Sequence, residues 1–310
     1  MDVLSDVLQT VRLQSQILGR LDVRPPWGIR LERRPFSVFH LILEGSAWFQ
    51  VENEKMVRVE AGDVLMLPRG NAHSLRDDPT TPAELFDLPL LKRLNVDRGA
   101  KLQGVCGMFR FEDRSTEQLF AALPRVLHVR ELDDELGPWL DQTMRLIGYE
   151  SKLRRPGGNT AAAGLCDTLF VYLLRTHLAR LSQTKPSWLR ALSDPQIGQA
   201  LQLIHSNPMA SWTVPELASK VAMSRSKFAA RFAEVVGRTP LQYVIDWRLQ
   251  KAASLLRTST RTLAEIASDV GYESEAAFNK AFKKGMGTPP GEYRTRDGAS
   301  WTLRGPEARA

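Results

Sequence analysis

The chain has 310 residues, with 42 Lys plus Arg against 35 Asp plus Glu, for a formal charge of +7. At roughly 100–200 residues per domain this length predicts two domains, and 43% apolar with 25% charged residues excludes wholesale disorder. No window approaches the ~18 uninterrupted apolar residues that cross a bilayer. The opening MDVLSDVLQTVRLQ lacks a basic start and apolar block, and two cysteines, Cys106 and Cys166, make no disulfide scaffold, so a cytoplasmic protein is expected.

Residues 25–111 read as short strands. Phe36 to Leu43 and Ala47 to Val51 flank the turn Glu44-Gly45-Ser46; Val57 to Val59 and Val64 to Leu67 follow, stopped by Pro68-Arg69-Gly70-Asn71. Such punctuation predicts a β-sandwich or barrel. After about residue 115 the pattern turns helical, with Leu119, Phe120, Leu123, Val126 and Leu127 at 3- and 4-residue spacing and Pro124 dividing the run. Helices are predicted from Pro138 to about Leu153 and from about Thr160 to Leu181. The second carries Leu165, Leu169, Tyr172, Leu173 and Leu181 along one stripe, suited to pairing with a second copy or to packing on the strands.

The polar SQTKP from Ser182 to Pro186 reads as a linker, and Asp194-Pro195 as the start of further helices. Charge divides at the same place. Residues 1–182 hold 24 basic and 24 acidic side chains; residues 183–310 hold 18 and 11, a net of +7. That asymmetry fits a nucleic-acid-binding module joined to a neutral partner domain.

The basic part contains a repeat. Glu216, Ala218, Ser219 and Val221 match Glu265, Ala267, Ser268 and Val270 at an offset of 49. After one extra residue in the turn, Ser224, Phe228, Phe232, Gly237, Pro240 and Tyr243 match Ser274, Phe278, Phe282, Gly287, Pro290 and Tyr293 at an offset of 50. Each copy reads as a short helix, a tight turn and a second helix capped by Ser224 or Ser274, with its phenylalanines one turn apart on the buried face. This is the pattern of a helix-turn-helix, whose second helix enters the DNA major groove. A long helix from about Pro240 to Arg257 spaces the two copies, as two successive groove segments about 34 Å apart require.

The segment from about Pro195 to Arg296 resembles the DNA-binding domain of AraC-type transcription regulators. The likeness is carried by Glu216-Leu217-Ala218, Met223-Ser224, Phe228 with Phe232, Gly237-Arg238-Thr239-Pro240, Trp247-Arg248-Leu249 with Ala252, Ile266-Ala267, Val270-Gly271-Tyr272, Ala277-Phe278, Ala281-Phe282-Lys283, and Pro289-Pro290 with Tyr293-Arg294. The resemblance implies a bacterial regulator, usually an effector-responsive activator, with seven helices, an RNA polymerase partner and a homodimeric state. The faces opposite the phenylalanines are the predicted DNA contacts. They are Arg225, Ser226, Ala229, Ala230 and Ala233 with Arg231 near the backbone, then Glu275, Ala276, Asn279 and Lys280 with Lys283 and Lys284 behind. Phosphate contacts from Arg225, Arg231, Lys280 and Lys283 are expected to dominate affinity.

Residues 25–111 resemble the cupin-like sensor domain found in front of many such regulators, through Phe39-His40-Leu41-Ile42-Leu43-Glu44-Gly45 and Ala61-Gly62-Asp63-Val64-Leu65-Met66-Leu67-Pro68-Arg69-Gly70-Asn71-Ala72-His73. His40 and His73 are the candidate effector-binding residues. Against that stands the preferred reading of both as satisfied core or rim histidines, and a metal there is weaker still, because the His-x-His pair of metal-binding cupins is absent and two histidines fall short of a zinc site. No cofactor is expected to be required. Cys106 is a candidate redox residue, against a packed strand residue; Cys166 reads as core.

The combined expectation is a multidomain α+β chain. Residues 1–114 form a cupin-like β-barrel or sandwich, 115–182 a helical dimerisation region, 183–193 a linker, 194–296 an all-α double helix-turn-helix, and 297–310 a flexible tail. Its function is sequence-specific binding of double-stranded promoter DNA in response to a small-molecule or redox effector, without a membrane partner and without enzyme activity. The alternative is a metal-dependent cupin enzyme fused to a DNA-binding module.

Overall fold

The computed structural model describes residues 2–11, 13–96, 98–111, 123–130, 136–153, 155–180 and 188–295. The chain divides into two units: residues 12–182, and residues 1–11 together with 183–310.

The first unit is built on two five-stranded sheets. Its strands are β1 (Leu13–Val23), β2 (Gly28–Leu31), β3 (Ser37–Glu44), β4 (Ser46–Val51), β5 (Val57–Glu60), β6 (Val64–Leu67), β7 (His73–Arg76), β8 (Glu84–Leu85), β9 (Leu102–Phe111) and β10 (Leu127–Val129). One sheet runs β1-β9-β3-β6-β10 and the other β5-β4-β7-β2-β8, so the described residues form an open sandwich and no closed barrel. Between the sheets pack Ile29, Leu31, Ile42, Phe49, Val51, Leu65, Leu67, Leu75 and Leu102. Strand β3 is buried on both faces, which explains its nearly unbroken apolar run. Ile42 faces the second sheet, while Phe39 stacks on Phe109, which meets Phe170 of a covering helix. Gly45 turns β3 into β4 at φ +82°, where an added Cβ would lie 2.0 Å from the Lys101 carbonyl oxygen. Only glycine fits that approach.

Among the described residues two helices cover the first sheet, α3 (Gly137–Leu153) and α4 (Gly158–Arg180), with the short α2 (Leu88–Leu94) lying before β9. Both long helices match the sequence expectation to within a few residues. Leu169 and Leu173 of the α4 stripe are wholly buried, so those positions serve the core. Two expectations need correction. The helix predicted through Val126 and Leu127 is not continued there: Leu127–Val129 is a strand, with Leu127 opposite Met66 and Val129 opposite Val64. An open edge on β6 rewards pairing more than local periodicity rewards a helix interrupted by Pro124. Leu119 and Phe120, from the same run, fall outside the described residues. The sandwich also starts earlier than residue 25, since β1 pairs with β9 from Leu13 to Val23 around a bulge between Ile17 and Gly19.

The second unit is helical. The helices are α1 (Val3–Val11), α5 (Trp188–Ser193), α6 (Pro195–Ser206), α7 (Val214–Lys220), α8 (Arg225–Val236), α9 (Pro240–Thr258), α10 (Leu263–Asp269), α11 (Glu275–Met286) and α12 (Pro290–Thr295). From Pro195 to Thr295 there are seven, as the family resemblance implies. Residues 188–193, placed in a linker by their sequence, form a helix with Leu189 and Ala191 buried. Residues 183–187 and the tail 297–310 lie outside the described residues.

The N-terminal helix departs from the expected division, in which residues 1–114 make one domain. It packs on α6 and α9 of the helical unit. Buried Asp6 accepts from His205 Nδ1 at 2.9 Å and from Lys251 Nζ at 2.5 Å. His205 in turn accepts from the Tyr243 hydroxyl at 2.7 Å and stacks on Trp247. Burial alone would push the Asp6 carboxyl up; the His205 and Lys251 hydrogen bonds outweigh it and hold the carboxyl below its ordinary range. A buried carboxylate is tolerated here because both oxygens are paired.

Candidate nucleic-acid interface and sensor site

The two helix-turn-helices are built from matching local bonds. Thr213 caps α7 and Thr262 caps α10, each accepting from the backbone N–H three residues on, Glu216 at 3.3 Å and Glu265 at 3.2 Å. Ser224 and Ser274 cap α8 and α11, accepting from Lys227 and Ala277. Inside each turn the backbone folds back alike: Met223 N–H donates to Ala218 O at 2.9 Å, and Tyr272 N–H to Ala267 O at 2.8 Å. The residue at the bend is left-handed in both, Ala222 at φ +53° and Gly271 at φ +83°. Each second helix ends on a left-handed glycine, Gly237 or Gly287.

Packing repeats too. Phe228 and Phe232 lie 5.6 Å apart between ring centroids, and Phe278 and Phe282 5.4 Å. Phe232 meets Tyr243 edge-on at 5.8 Å, as Phe282 meets Tyr293 at 5.3 Å. All four phenylalanines are fully buried, so each second helix turns its opposite face outward. Between the copies, Arg248 of α9 donates to the carbonyls of Pro208 at 2.8 Å, Ala210 at 2.9 Å and Gly271 at 3.0 Å. It ties the second turn to the loop after α6. Arg248 belongs to the family likeness, but its role is invisible in any local pattern because its partners are 23 to 40 residues away.

The predicted DNA face is largely open. Arg225, Ser226 and Ala230 are exposed on α8, with Ala229 and Ala233 half-buried. On α11, Glu275, Ala276, Lys280, Lys283 and Lys284 are exposed and Asn279 is half-buried. Lys227 is also exposed on α8, although it is not among the predicted contacts. Arg231 is placed differently from the others. Its guanidinium bridges Asp194 at 3.1 Å and Glu234 at 3.1 Å, so it is already engaged by carboxylates.

In the first unit the structure gathers three of the sequence-selected side chains. His40 on β3 and Cys106 on β9 are direct cross-strand neighbours, and His40 Nδ1 lies 2.9 Å from Cys106 Sγ. Across the sandwich, His40 Nε2 lies 2.7 Å from Nε2 of His73 on β7. His73 Nδ1 lies 2.8 Å from the Asn71 carbonyl oxygen. Burial lowers both imidazoles, His40 well below its usual range with help from His73, and His73 to about 4, so both rings are neutral at pH 7. Burial likewise pushes the Cys106 thiol up to about 12. His40 turns one nitrogen to each neighbour, so the three donors form a line and do not converge on a point. Among the described residues, no three His, Cys, Asp or Glu side chains are arranged to hold a metal ion. Cys166 is buried on α4.

Comparison with known proteins extends these observations to both units. Residues 2–179 match the family described as Cupin, and residues 217–296 the one described as Helix-turn-helix domain. A putative AraC-like transcription regulator of Streptomyces lividans is 34% identical over 95% of this chain and 98% of its own. The HTH-type transcriptional regulator AlkR of Acinetobacter baylyi is 31% identical over 95% and 99%. The RCS-specific HTH-type transcriptional activator RclR of Escherichia coli is 30% identical over 96% and 98%. Among solved structures, the DNA-binding domain of AdpA in complex with a target DNA is similar over 33% of this chain and 92% of that one, at 31% identity and a TM-score of 0.32. With relatives at this identity along nearly its whole length, the chain belongs to the AraC-type transcription regulators, DNA-binding proteins and not enzymes.

Proposed function

We propose that this regulator is a homodimeric, effector-responsive activator that binds promoter DNA through α8 and α11 in the bacterial cytoplasm and works with RNA polymerase. The observation that carries the DNA reading is the pair of equivalent helices, each pinned by two buried phenylalanines, with basic side chains on the outward face. Base edges would be met by Ser226, Ala229, Ala230, Glu275, Ala276 and Asn279, and phosphates by Arg225, Lys280 and Lys283. Arg231 would join them only by giving up its carboxylates. The E. coli relative's name, which calls it an activator, supports activation. Dimerisation is supported by α3, where Trp139, Leu146 and Tyr149 are exposed along one side of the helix. No described helix is long and apolar enough to cross a membrane.

A gel-shift titration against the protein's own upstream region, run at two salt concentrations, tests the DNA reading. Tight binding that weakens with salt is expected, and Lys280→Ala should weaken it and shallow the salt slope by about one ion. Unchanged affinity and slope in that variant would remove Lys280 from the interface.

A further inference from the structure

We propose that α8 reads thymine methyl groups while α11 reads base edges by hydrogen bonds, so that the operator pairs a thymine-rich element with one of mixed sequence. This rests on both helices lying in major grooves, as the promoter-binding reading has them. One stripe on each helix carries it. Opposite the buried phenylalanines, positions i, i+3, i+4 and i+7 of α8 are Ser226, Ala229, Ala230 and Ala233. The equivalent positions of α11 are Ala276, Asn279, Lys280 and Lys283, and on neither helix is any of them buried. The two copies agree in their capping serines, buried phenylalanines and final glycines. Yet alanines 229, 230 and 233 stand where the other copy has an asparagine and a pair of lysines.

An alanine side chain neither donates nor accepts a hydrogen bond, so nothing at 229, 230 or 233 selects a base through its polar edge. What a methyl group meets in the major groove is the C5-methyl of thymine, which the other bases lack. Alanine makes that contact with no rotamer entropy to lose, and its short side chain lets the helix backbone come close to the bases. Ser226 bonds to either a donor or an acceptor and leaves the choice of base open. At a rise of about 1.5 Å per residue, Ala229 to Ala233 covers about 6 Å, or roughly two base-pair steps of about 3.4 Å. A run of roughly two to three thymines matches that length. On α11 the same stripe carries Asn279, suited to the N6 and N7 edge of adenine, with Glu275 one turn before it as an acceptor for cytosine N4. Its lysines reach for phosphates, and Ala276 is the lone alanine of that stripe.

The test begins with selection of duplexes from a random pool by the full-length protein. Enriched duplexes should share a pair of elements about one helical turn apart, roughly 10 base pairs. Asn279→Ala should erase the sequence preference of the mixed element only, which assigns that element to α11. Deoxyuridine is then placed for thymine in each element separately, which keeps every hydrogen bond and removes only the methyl group. In the thymine-rich element affinity should fall about fourfold per methyl, and in the α11 element by less than about twofold in all. Ala230→Ser, a small change at an exposed position, should lower the thymine-to-uracil ratio in the first element and leave the second as it was. Undiminished affinity for the uracil duplex, equal losses in both elements, an unchanged ratio in Ala230→Ser, or wild-type preferences in Asn279→Ala would overturn the proposal. A pool from which nothing enriches would instead overturn the DNA-binding reading beneath it, so the two failures are told apart.

Discussion

The first helix-turn-helix caps its second helix with Ser224, buries Phe228 and Phe232 beneath it and ends on Gly237; the second does the same with Ser274, Phe278, Phe282 and Gly287. On the outward side the copies part. The first offers Arg225, Lys227 and small Ala230, and its Arg231 is held by Asp194 and Glu234. The second offers Lys280, Lys283 and Lys284 along an exposed face. Scaffold and readout are therefore separable within one repeat: the buried half is repeated because packing demands it, and the exposed half is free to diverge. The outward face of the first copy has fewer side chains able to hydrogen-bond bases, so less direct hydrogen-bond readout is expected from it.

Equivalence of the scaffolds can be broken most forcefully at the phenylalanines. Phe232→Ala and Phe282→Ala each remove a fully buried ring, and each should cost about 3–5 kcal/mol in urea unfolding of the full chain. Similar costs are expected. A difference larger than about 2 kcal/mol would mean that the two cores are not energetically alike, whatever their shared geometry.

The next largest effect tests an asymmetry. Arg248 donates to Gly271 O in the second turn and to two carbonyls of the preceding loop. Arg248→Met keeps much of the stem and removes all three donors, so a loss of about 2–3 kcal/mol is expected. Amide exchange should quicken around 271–275 and stay unchanged around 222–225. Equal quickening in both turns would show that Arg248 supports the whole bundle and not the second copy.

The readout halves differ by less energy but more diagnostically. Lys280→Ala should weaken promoter binding several-fold and reduce the salt slope by about one. Arg231→Ala should change the slope less, since its charge is already met by two carboxylates. Its expected signature is a loss of thermal stability from the α6–α8 contact. If both variants shift the slope equally, Arg231 leaves Asp194 when DNA arrives.

The scaffold was legible in the sequence because its signals are local: a capping serine three residues before the N–H it serves, phenylalanines four apart, and a glycine after the last turn. Two copies of a local pattern reinforce each other. The polar line in the sandwich was legible only as parts. His40 and Cys106 are 66 residues apart and His40 and His73 are 33 apart, so their meeting depends on strand register and on which sheet each strand joins. The same holds for Asp6 and His205, separated by 199 residues, and for β1, whose polar alternation hides its pairing with β9. Leu127 went to a strand for a related reason, an open β6 edge that no local window contains.

The smallest predicted effect lies at the one place where the two turns use different residues for the same backbone. Ala222 and Gly271 occupy equivalent left-handed bends. At Gly271 the choice is forced twice: φ is +83°, and a Cβ would lie 2.9 Å from Met209 Cα and from its carbonyl oxygen. At Ala222 the methyl group is accommodated and exposed, so only the backbone strain of a left-handed alanine is paid. Ala222→Gly should therefore stabilise the helical unit by about 0.5–1 kcal/mol, the left-handed penalty less the added chain entropy of glycine. Gly271→Ala should lose more than that gain, because relief of its contact requires moving the very loop that Arg248 holds. Thermal melts of both single variants and of Gly271→Ala in an Arg248→Met background would decide it. If the glycine substitution costs as much without the arginine as with it, the close approach of Met209 alone dictates glycine, and the second turn is shaped by packing before it is tied.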